Sequence, residues 1–408
     1  MQDISLEKAQ ELLLREVREI PLSEAESVPL LAALGRRLAE DCCAAFDQPP
    51  FDRSPLDGYA LLAACTQGAS ADAPARFRVI GEECAGSFFA GKVGAGEALR
   101  LMTGAAMPEG ADTVVRQEDV RVEGEEILVP YALKHHENFC FRGEDVEEGA
   151  VLAKAGDRLT AAHIAVLAGQ GRKRLPCVRR VRIVLASTGD ELVEPGEPLC
   201  PGKIYNSNLY LLAARLKEMG FEAEILGALP DDAEEVARAL VSSAEPPDLV
   251  LTTGGVSVGK KDIMHDVVKE LNAERLFWRV LMKPGAPAIG YTFSAAGDSR
   301  RTLGIALSGN PFAASATFEL LVRPVLAKLT ARTALLLRRC RAVLRDGFAK
   351  ESRGRRFVRA QYAQGEVHLP EKHASGVLFS AVGCNALVDI PAGSPPLAAG
   401  AEVDVILL

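Results

Sequence analysis

Three acidic side chains, Glu191, Asp231 and Asp262, each stand shortly after a segment that reads as a buried β-strand: RRVRIVLAS, FEAEILGAL and DLVLTTGG. In open α/β sheets, ligands bind outside the carboxyl ends of the strands, so the three carboxylates are expected at one edge. There they repel unless a divalent cation or a cationic ligand joins them. Oxygen-only ligation suits Mg²⁺ bridging to a phosphate; three independent helix caps account for the same residues equally well on local grounds. Between strand and helix, Gly254, Gly259 and Lys260 fit G-x-x-x-x-G-K. The next residue is Lys261 rather than the Ser or Thr that would hold magnesium, and no convincing Walker B strand follows. The loop holding Gly254, Gly255, Ser257 and Gly259 therefore reads as a glycine turn that lets backbone N–H groups approach an anion. Asp262 opens the next helix, as its cap or as a holder of a cation beside a phosphate.

Two cations, Arg279 and Lys283, flank the run VLM before Pro284-Gly285. In an extended stretch 279, 281 and 283 share a face, and Pro284 favours extended backbone at Lys283. Such a pair can grip a tetrahedral dianion; a solvated edge is the plain alternative. Ser308-Gly309-Asn310-Pro311 is a tight turn into a helix, either an oxyanion cradle or simply a turn. Residues 331–360 carry ten basic and two acidic side chains without interleaved aromatic platforms. That favours a solvated basic face with one or two arginines near an anion site. The six histidines show no ligand spacing, and no histidine catalysis is assigned.

The elements that must position these residues follow from length and texture. At 408 residues, two to four domains are expected. Hydrophobic residues make up 48% and charged residues 25%, which excludes a wholly disordered chain. No apolar run reaches the ~18 residues of a membrane span, and no signal-peptide block opens the chain. The net charge of −8 argues against general nucleic-acid affinity. The nine cysteines form no CxxC pair, so reduced thiols and a cytoplasmic location are expected. Ser5 predicts a capped helix to about Arg18, and a second helix is expected over about Leu30 to Asp41. Short β-branched segments from about 76 to 129 read as a small all-β domain. A helical stretch returns around 154–175 with Thr160 as cap. Strand–helix alternation over 179–328 predicts a parallel sheet covered on both faces. After about Ala331 the pattern is β again.

Eight segments occur in order: PPFDRSPLDGYA (49–60), LRLMTGAAMPEGADTVV (99–115), ENFCFRGEDVEEG (137–149), STGDEL (187–192), GKIYNSN (202–208), LTTGGVSVGKKD (251–262), VLMKPGAP (280–287) and LSGNP (307–311). With these, essentially the whole chain resembles the molybdopterin molybdenumtransferase family, the bacterial MoeA type related to the gephyrin E domain. The resemblance implies an N-terminal helical/linker domain (1–46 plus 142–178) and a β-rich domain (47–141). A molybdopterin-binding α/β domain (179–328) and a C-terminal β-barrel (329–408) complete the set. It implies a homodimer whose cleft is shared between protomers. It also implies Mg²⁺-assisted insertion of molybdate into adenylylated molybdopterin with hydrolytic release of AMP, the final step of molybdenum cofactor biosynthesis. By position, the resemblance adds Asp57, Thr103 and Asp145 to Glu191, Asp231 and Asp262 as catalytic residues, with Glu191 and Asp262 on the metal. Arg279, Lys283, Arg359 and Ser375 are then expected to form the oxyanion pocket. Arg279, Ala286, Ser308, Pro55-Leu56 and Asn206 depart from the usual family residues. The competing readings are a paralogue that binds and delivers the pterin without turnover or prefers tungstate, and a nucleoside-triphosphatase using the 254–260 loop.

Overall fold

In the computed structural model, which describes residues 1–256, 263–294 and 300–408, Ser5 caps helix Leu6–Glu16 by accepting a hydrogen bond from the Lys8 amide at 3.1 Å. Leu6, Ala9 and Leu13 recur at helical spacing and are buried. Just before this helix, Gln2–Ile4 forms a strand parallel to Glu274–Val280, with Gln2 opposite Trp278 and Ile4 opposite Val280. The first twenty residues therefore form one compact unit with Arg180–Leu408. The resemblance groups them instead with 21–46 and 142–178; by their contacts they lie against the α/β region. The helix's apolar face and the strand's edge pairing both find partners in the α/β region, and Gln10 Nε2 donates to the Leu320 carbonyl at 2.7 Å.

The main sheet of this unit runs Gln2–Ile4, Glu274–Val280, Ile289–Phe293, Thr302–Leu307, Leu249–Thr253, Ile183–Thr188, Glu224–Leu229. All neighbours are parallel except Ile289–Phe293, which is antiparallel to both of its partners. The region is thus not parallel throughout, as its alternation suggested. Residues 281–288 form a connection too short for a crossover helix, and a short loop joins antiparallel strands only. Of the four consecutive parallel strands at this end of the sheet, Thr302–Leu307, Leu249–Thr253 and Ile183–Thr188 are buried along their length, which is why they read as continuous apolar runs, and Glu224–Leu229 is the edge strand. Their carboxyl ends present Thr188, Gly254, Ser308 and, beyond Leu229, Asp231 on one edge.

The C-terminal β pattern closes into a five-stranded barrel of Arg338–Leu344, Glu366–His368, Arg356–Ala363, Ala386–Ile390 and Glu402–Leu407. Leu344, Val358, Val388 and Val405 fill it. At one wall, buried Asp389 accepts Arg355 Nε at 2.8 Å and Nη2 at 2.6 Å, with Arg339 Nη1 at 2.8 Å. Burial pushes the Asp389 carboxyl up, but the hydrogen bonds from Arg355 and Arg339 outweigh it and hold the group below the usual carboxylate range. A carboxyl depressed in the folded state stabilises above its unfolded value, and that stability is lost as pH falls through the folded value. Asp389→Asn is therefore expected to cost on the order of 3 kcal/mol at neutral pH, because it leaves two guanidinium groups facing a neutral amide. The gap between variant and wild type should shrink below about pH 4. Urea unfolding at pH 7 and pH 3 measures both; an equal gap at the two pH values would contradict the assignment.

The second unit, Pro21–Arg179, carries a six-stranded sheet in the order Thr113–Arg116, Gly58–Leu61, Glu97–Leu101, Ala75–Glu83, Glu126–Val129, Arg121–Glu123. Helix Ala161–Gly169 is capped by Thr160, with His163 Nδ1 reciprocating at the Thr160 amide. The helix expected over 30–41 is a single 3₁₀ turn, Leu30–Ala33. Gly35 then adopts a φ of +72°, and Leu38 and Cys42–Cys43 pair with other strands. Tertiary pairing overrides the local helical texture there. All nine cysteines are free. Among the described residues, no helix is long and apolar enough to cross a membrane.

Candidate functional site

A cleft of about 1010 Å³ opens at the carboxyl edge of the main sheet, within the unit formed by Met1–Ile20 and Arg180–Leu408. Its floor is made by strand ends. Thr188, Gly254, Gly255, Ser308 and Gly309 line it. Gly254 has a φ of +103°, and a Cβ there would lie 2.3 Å from the Thr188 carbonyl oxygen. Only glycine lets the two strand ends approach this closely. The floor is stitched by side chains: Asn208 Nδ2 donates to the Gly309 carbonyl at 2.7 Å, and Thr253 Oγ1 donates to the Ser308 carbonyl at 3.1 Å. Buried Thr188 Oγ1 has no hydrogen-bond partner among the described residues. A hydroxyl kept dry and unpaired beneath a cleft is suited to a ligand oxygen.

One wall is acidic. Glu191 is exposed and Asp231 half-buried, and both line the cleft. The chain at this wall is held by reciprocal contacts. The Asp231 amide donates to Asp190 Oδ1 at 3.2 Å, the Asp190 amide lies 3.4 Å from Asp231 Oδ2, and the Ile204 amide donates to the Glu191 carbonyl at 2.9 Å. Behind it, buried Asn206 Nδ2 donates to Ser187 Oγ at 2.7 Å and Glu194 Oε1 at 2.9 Å. Glu191 and Asp231 offer oxygen donors of the kind a hard cation takes, with room for substrate oxygens. Among the described residues, no three His, Cys, Asp or Glu side chains gather into a complete metal site. Ser257, Gly259 and Asp262 lie outside the described residues.

A second wall is basic and is built where the Lys283 loop meets the barrel. The Lys283 amide donates to the Arg355 carbonyl at 2.9 Å, and the Lys283 carbonyl accepts from the Phe357 amide at 2.7 Å. This splices the Lys283 loop onto the strand Arg356–Ala363. Lys283 and Ser375 line the cleft, as does Asn310 at the start of helix Pro311–Thr317. The Phe312 amide donates to the Ser375 carbonyl at 3.0 Å, so the helix start and the barrel loop are fixed to each other. The structure thus gathers Glu191, Asp231, Gly254 and Gly255 with Lys283, Ser308, Gly309, Asn310 and Ser375.

Two residues expected in the oxyanion pocket lie elsewhere. Arg359 is 2% exposed and does not line the cleft. Its Nη1 and Nη2 donate to the Val377 and Ala374 carbonyls, each at 2.7 Å, and its guanidinium lies 4.2 Å from the centre of the Phe312 ring. Burial pushes its pKa down, partly offset by nearby Cys384. Arg359 therefore holds the loop that carries Ser375. Arg279 has a φ of +66° and lies 3.2 Å from Asp3. Beyond it the Met282 amide turns back onto the Val280 carbonyl at 2.7 Å. The extended run that would put 279 and 283 on one face is broken, and Arg279 faces a neighbouring recess.

Sequence reasoning passed over Lys350, Arg356 and His373, which also line the cleft. The basic bias of 331–360 was the available signal for the first two. His373 Nδ1 sits 3.2 Å from the Pro370 carbonyl and must carry a proton to bond to it. In the other unit, the Thr103 amide and hydroxyl both donate to Asp57 Oδ1 at 2.7 Å. The Thr103 hydroxyl, then its amide, holds the Asp57 carboxyl below the usual range. Asp145 is exposed, with its amide donating to the Gln48 carbonyl at 3.0 Å.

Known protein families match the chain in three stretches. Residues 4–171 match the MoeA N-terminal region (domain I and II), 184–328 a probable molybdopterin binding domain, and 341–408 the MoeA C-terminal region (domain IV). The molybdopterin molybdenumtransferase of Staphylococcus epidermidis (strain ATCC 35984) is 35% identical over 379 residues, 92% of this chain and 89% of that protein. The chain belongs to the molybdopterin molybdenumtransferase family. The Staphylococcus aureus (strain Mu50) molybdopterin molybdenumtransferase matches with the same identity and coverage. A crystal structure of the molybdopterin biosynthesis MoeA protein from Pyrococcus horikoshii superposes with a TM-score of 0.81 at 32% identity, covering 99% of both chains. A second, from strain OT3, gives 0.74 at 32% identity and covers all of both. Within this MoeA-type fold, the floor and acidic wall of the cleft belong to the molybdopterin-binding region, and Ser375 to the C-terminal barrel.

Proposed function

We propose that this protein is a molybdopterin molybdenumtransferase and that the cleft inserts molybdate into the dithiolene of adenylylated molybdopterin, with hydrolysis of the P–O–P link to release AMP. The observation that carries this reading is the juxtaposition, in one cleft of a chain of this family, of a glycine floor, an acidic wall and a basic wall. Each suits one part of the reaction. The floor lets phosphate oxygens approach the backbone and the Thr188 hydroxyl, which has no partner among the described residues. Lys283 and the Ser375 hydroxyl supply a cation and a donor for a tetrahedral dianion, and Arg359 keeps Ser375 in place. Arg356 and Lys350 add positive charge on the same wall.

Glu191 and Asp262 are the residues that would hold Mg²⁺, with Asp231 beside Glu191. When bound, the ion neutralises charge on phosphoryl oxygens during cleavage. The protein's own part is to orient the anhydride between the walls, since phosphoryl transfer depends on positioning and charge stabilisation more than on a covalent nucleophile. The same reading makes the protein a cytoplasmic homodimer, with Asp57 and Thr103 serving the partner protomer's site and Asp145 as a further functional residue.

The test is direct. Protein, adenylylated molybdopterin, Mg²⁺ and molybdate are incubated, and AMP is followed by chromatography. Molybdate-dependent AMP release is expected. Tight pterin binding without AMP release would replace this reading with that of a pterin-delivering paralogue, a reading favoured by Ala286, a residue with no charge on the cleft wall. AMP release with tungstate alone would reassign the metalate.

A further inference from the structure

Behind the Lys283 loop lies a second cavity of about 550 Å³. Three elements far apart in sequence wall it: the N-terminal strand through Asp3, the loop from Arg279 to Lys283 and Ala286, and the barrel segment 351–356. The Leu281 amide donates to the Ile4 carbonyl at 2.8 Å and the Lys283 amide to the Arg355 carbonyl at 2.9 Å. The walls are therefore fixed to one another by backbone hydrogen bonds.

The charges in this recess do not balance. Arg279 is matched by Asp3 at 3.2 Å. Arg355 is taken up by Glu7 and by the fork to Asp389. Among the described residues, Lys283, Arg353 and Arg356 remain on the lining, with Glu351 as the one carboxylate left there. Arg356 commits its Nε to Ser352 Oγ at 3.2 Å and its guanidinium lies 5.5 Å from the Phe348 ring centre, which leaves its terminal nitrogens for a ligand. Three cations against one carboxylate is the surplus that a dianion cancels, and guanidinium groups suit tetrahedral oxyanions.

The recess is also joined to the main cleft. Met282, Lys283, Ala286 and Arg356 line both cavities. These shared residues form the partition, and Ala286 contributes only a methyl group to it. Lys283 and Arg356 can face an anion on either side.

We propose that this recess is a second binding site for a small tetrahedral oxyanion dianion, from which the anion passes across the Lys283–Arg356 partition into the cleft. That the anion is a metalate rests on the function proposed above; the charge surplus and the geometry do not. The site holds its ligand through Arg353 and Arg356, with Lys283 as the group shared between the two positions.

Crystals soaked in tungstate, a dianion of the same shape with strong anomalous scattering, test this. An anomalous peak is expected between Arg353, Arg356 and Lys283, in addition to one beside Ser375. Arg353→Glu should remove the recess peak and leave the cleft peak. In solution, equilibrium dialysis with molybdate should show two sites on the wild type. Arg353→Ala, the milder change, should weaken one of them roughly tenfold or more and leave the other within about twofold. A peak only beside Ser375, or a single site in dialysis, overturns the second site and leaves the proposed function standing. No peak in either position overturns both.

Discussion

Glu191→Gln is expected to lower molybdate-dependent AMP release by ~10²–10³-fold, the range typical of removing one electrostatic group that acts on developing charge. Its carboxylate is exposed on the cleft wall while its backbone is fastened by the Ile204 amide. Glutamine keeps the shape of the side chain and the backbone pairing, so folding should be unaffected. Only the negative charge is lost, and a neutral amide is a poor ligand for a hard cation. The loss should appear in turnover rather than in pterin binding, and higher Mg²⁺ should recover part of it. AMP release within about threefold of wild type, at one fixed Mg²⁺ concentration, would remove Glu191 from the mechanism. Thermal unfolding of the same variant checks that the fold is intact.

Gly254→Ala is expected to be the most damaging single-methyl change in the site. The new Cβ would sit 2.3 Å from the Thr188 carbonyl oxygen and 3.0 Å from its hydroxyl, at a φ of +103°. The Thr188 backbone belongs to a central strand that pairs on both sides, so it cannot step aside without disturbing the sheet. Gly196 is the control. Its φ is +102°, but a Cβ there meets nothing within 4 Å. Gly196→Ala should carry only the conformational cost of about 1–2 kcal/mol. Gly254→Ala should cost about 3 kcal/mol or more and lower pterin affinity by at least ~100-fold. Trp278, the single tryptophan, lies in a strand of this sheet and reports its unfolding by fluorescence. Equal destabilisation by the two substitutions would show that the contact with Thr188 does not matter.

Much of this site could be read before any coordinates, for identifiable reasons. Glu191, Asp231, Gly254 and Ser308 follow strands whose apolar runs and glycine stops are visible in the sequence, and the edge rule places them together. The reading failed where a long-range contact decided the outcome. Arg359 has the composition of an anion ligand, yet loop 374–377 captures its guanidinium. Arg279 is diverted by Asp3, a residue 276 positions earlier that no local pattern connects to it. The short connection 281–288 is too irregular to announce a hairpin, so the antiparallel strand Ile289–Phe293 was hidden among parallel ones. Leu30–Asp41 has helical texture, but the chain there is used for bridges to Cys177 and Arg158. The cleft cations Arg356 and Lys350 were visible only as a bias in composition, because which basic side chains face inward depends on how the barrel closes.

The pairing of Gln2–Ile4 with Glu274–Val280 bears on the order in which the chain can assemble. Strand Gln2–Ile4 is made at the ribosome well before its partner Glu274–Val280. Residues 21–179, a compact unit of their own, can fold during the wait, since domains generally fold as units and N-terminal ones first. The apolar face of helix Leu6–Glu16 stays uncovered until the segments it packs on, from strand Glu274–Val280 to helix Arg323–Leu329, emerge. Nascent chains halted before that point should therefore be greasy at helix Leu6–Glu16 and be bound by chaperones there, and release from them should coincide with synthesis of the segments that cover it.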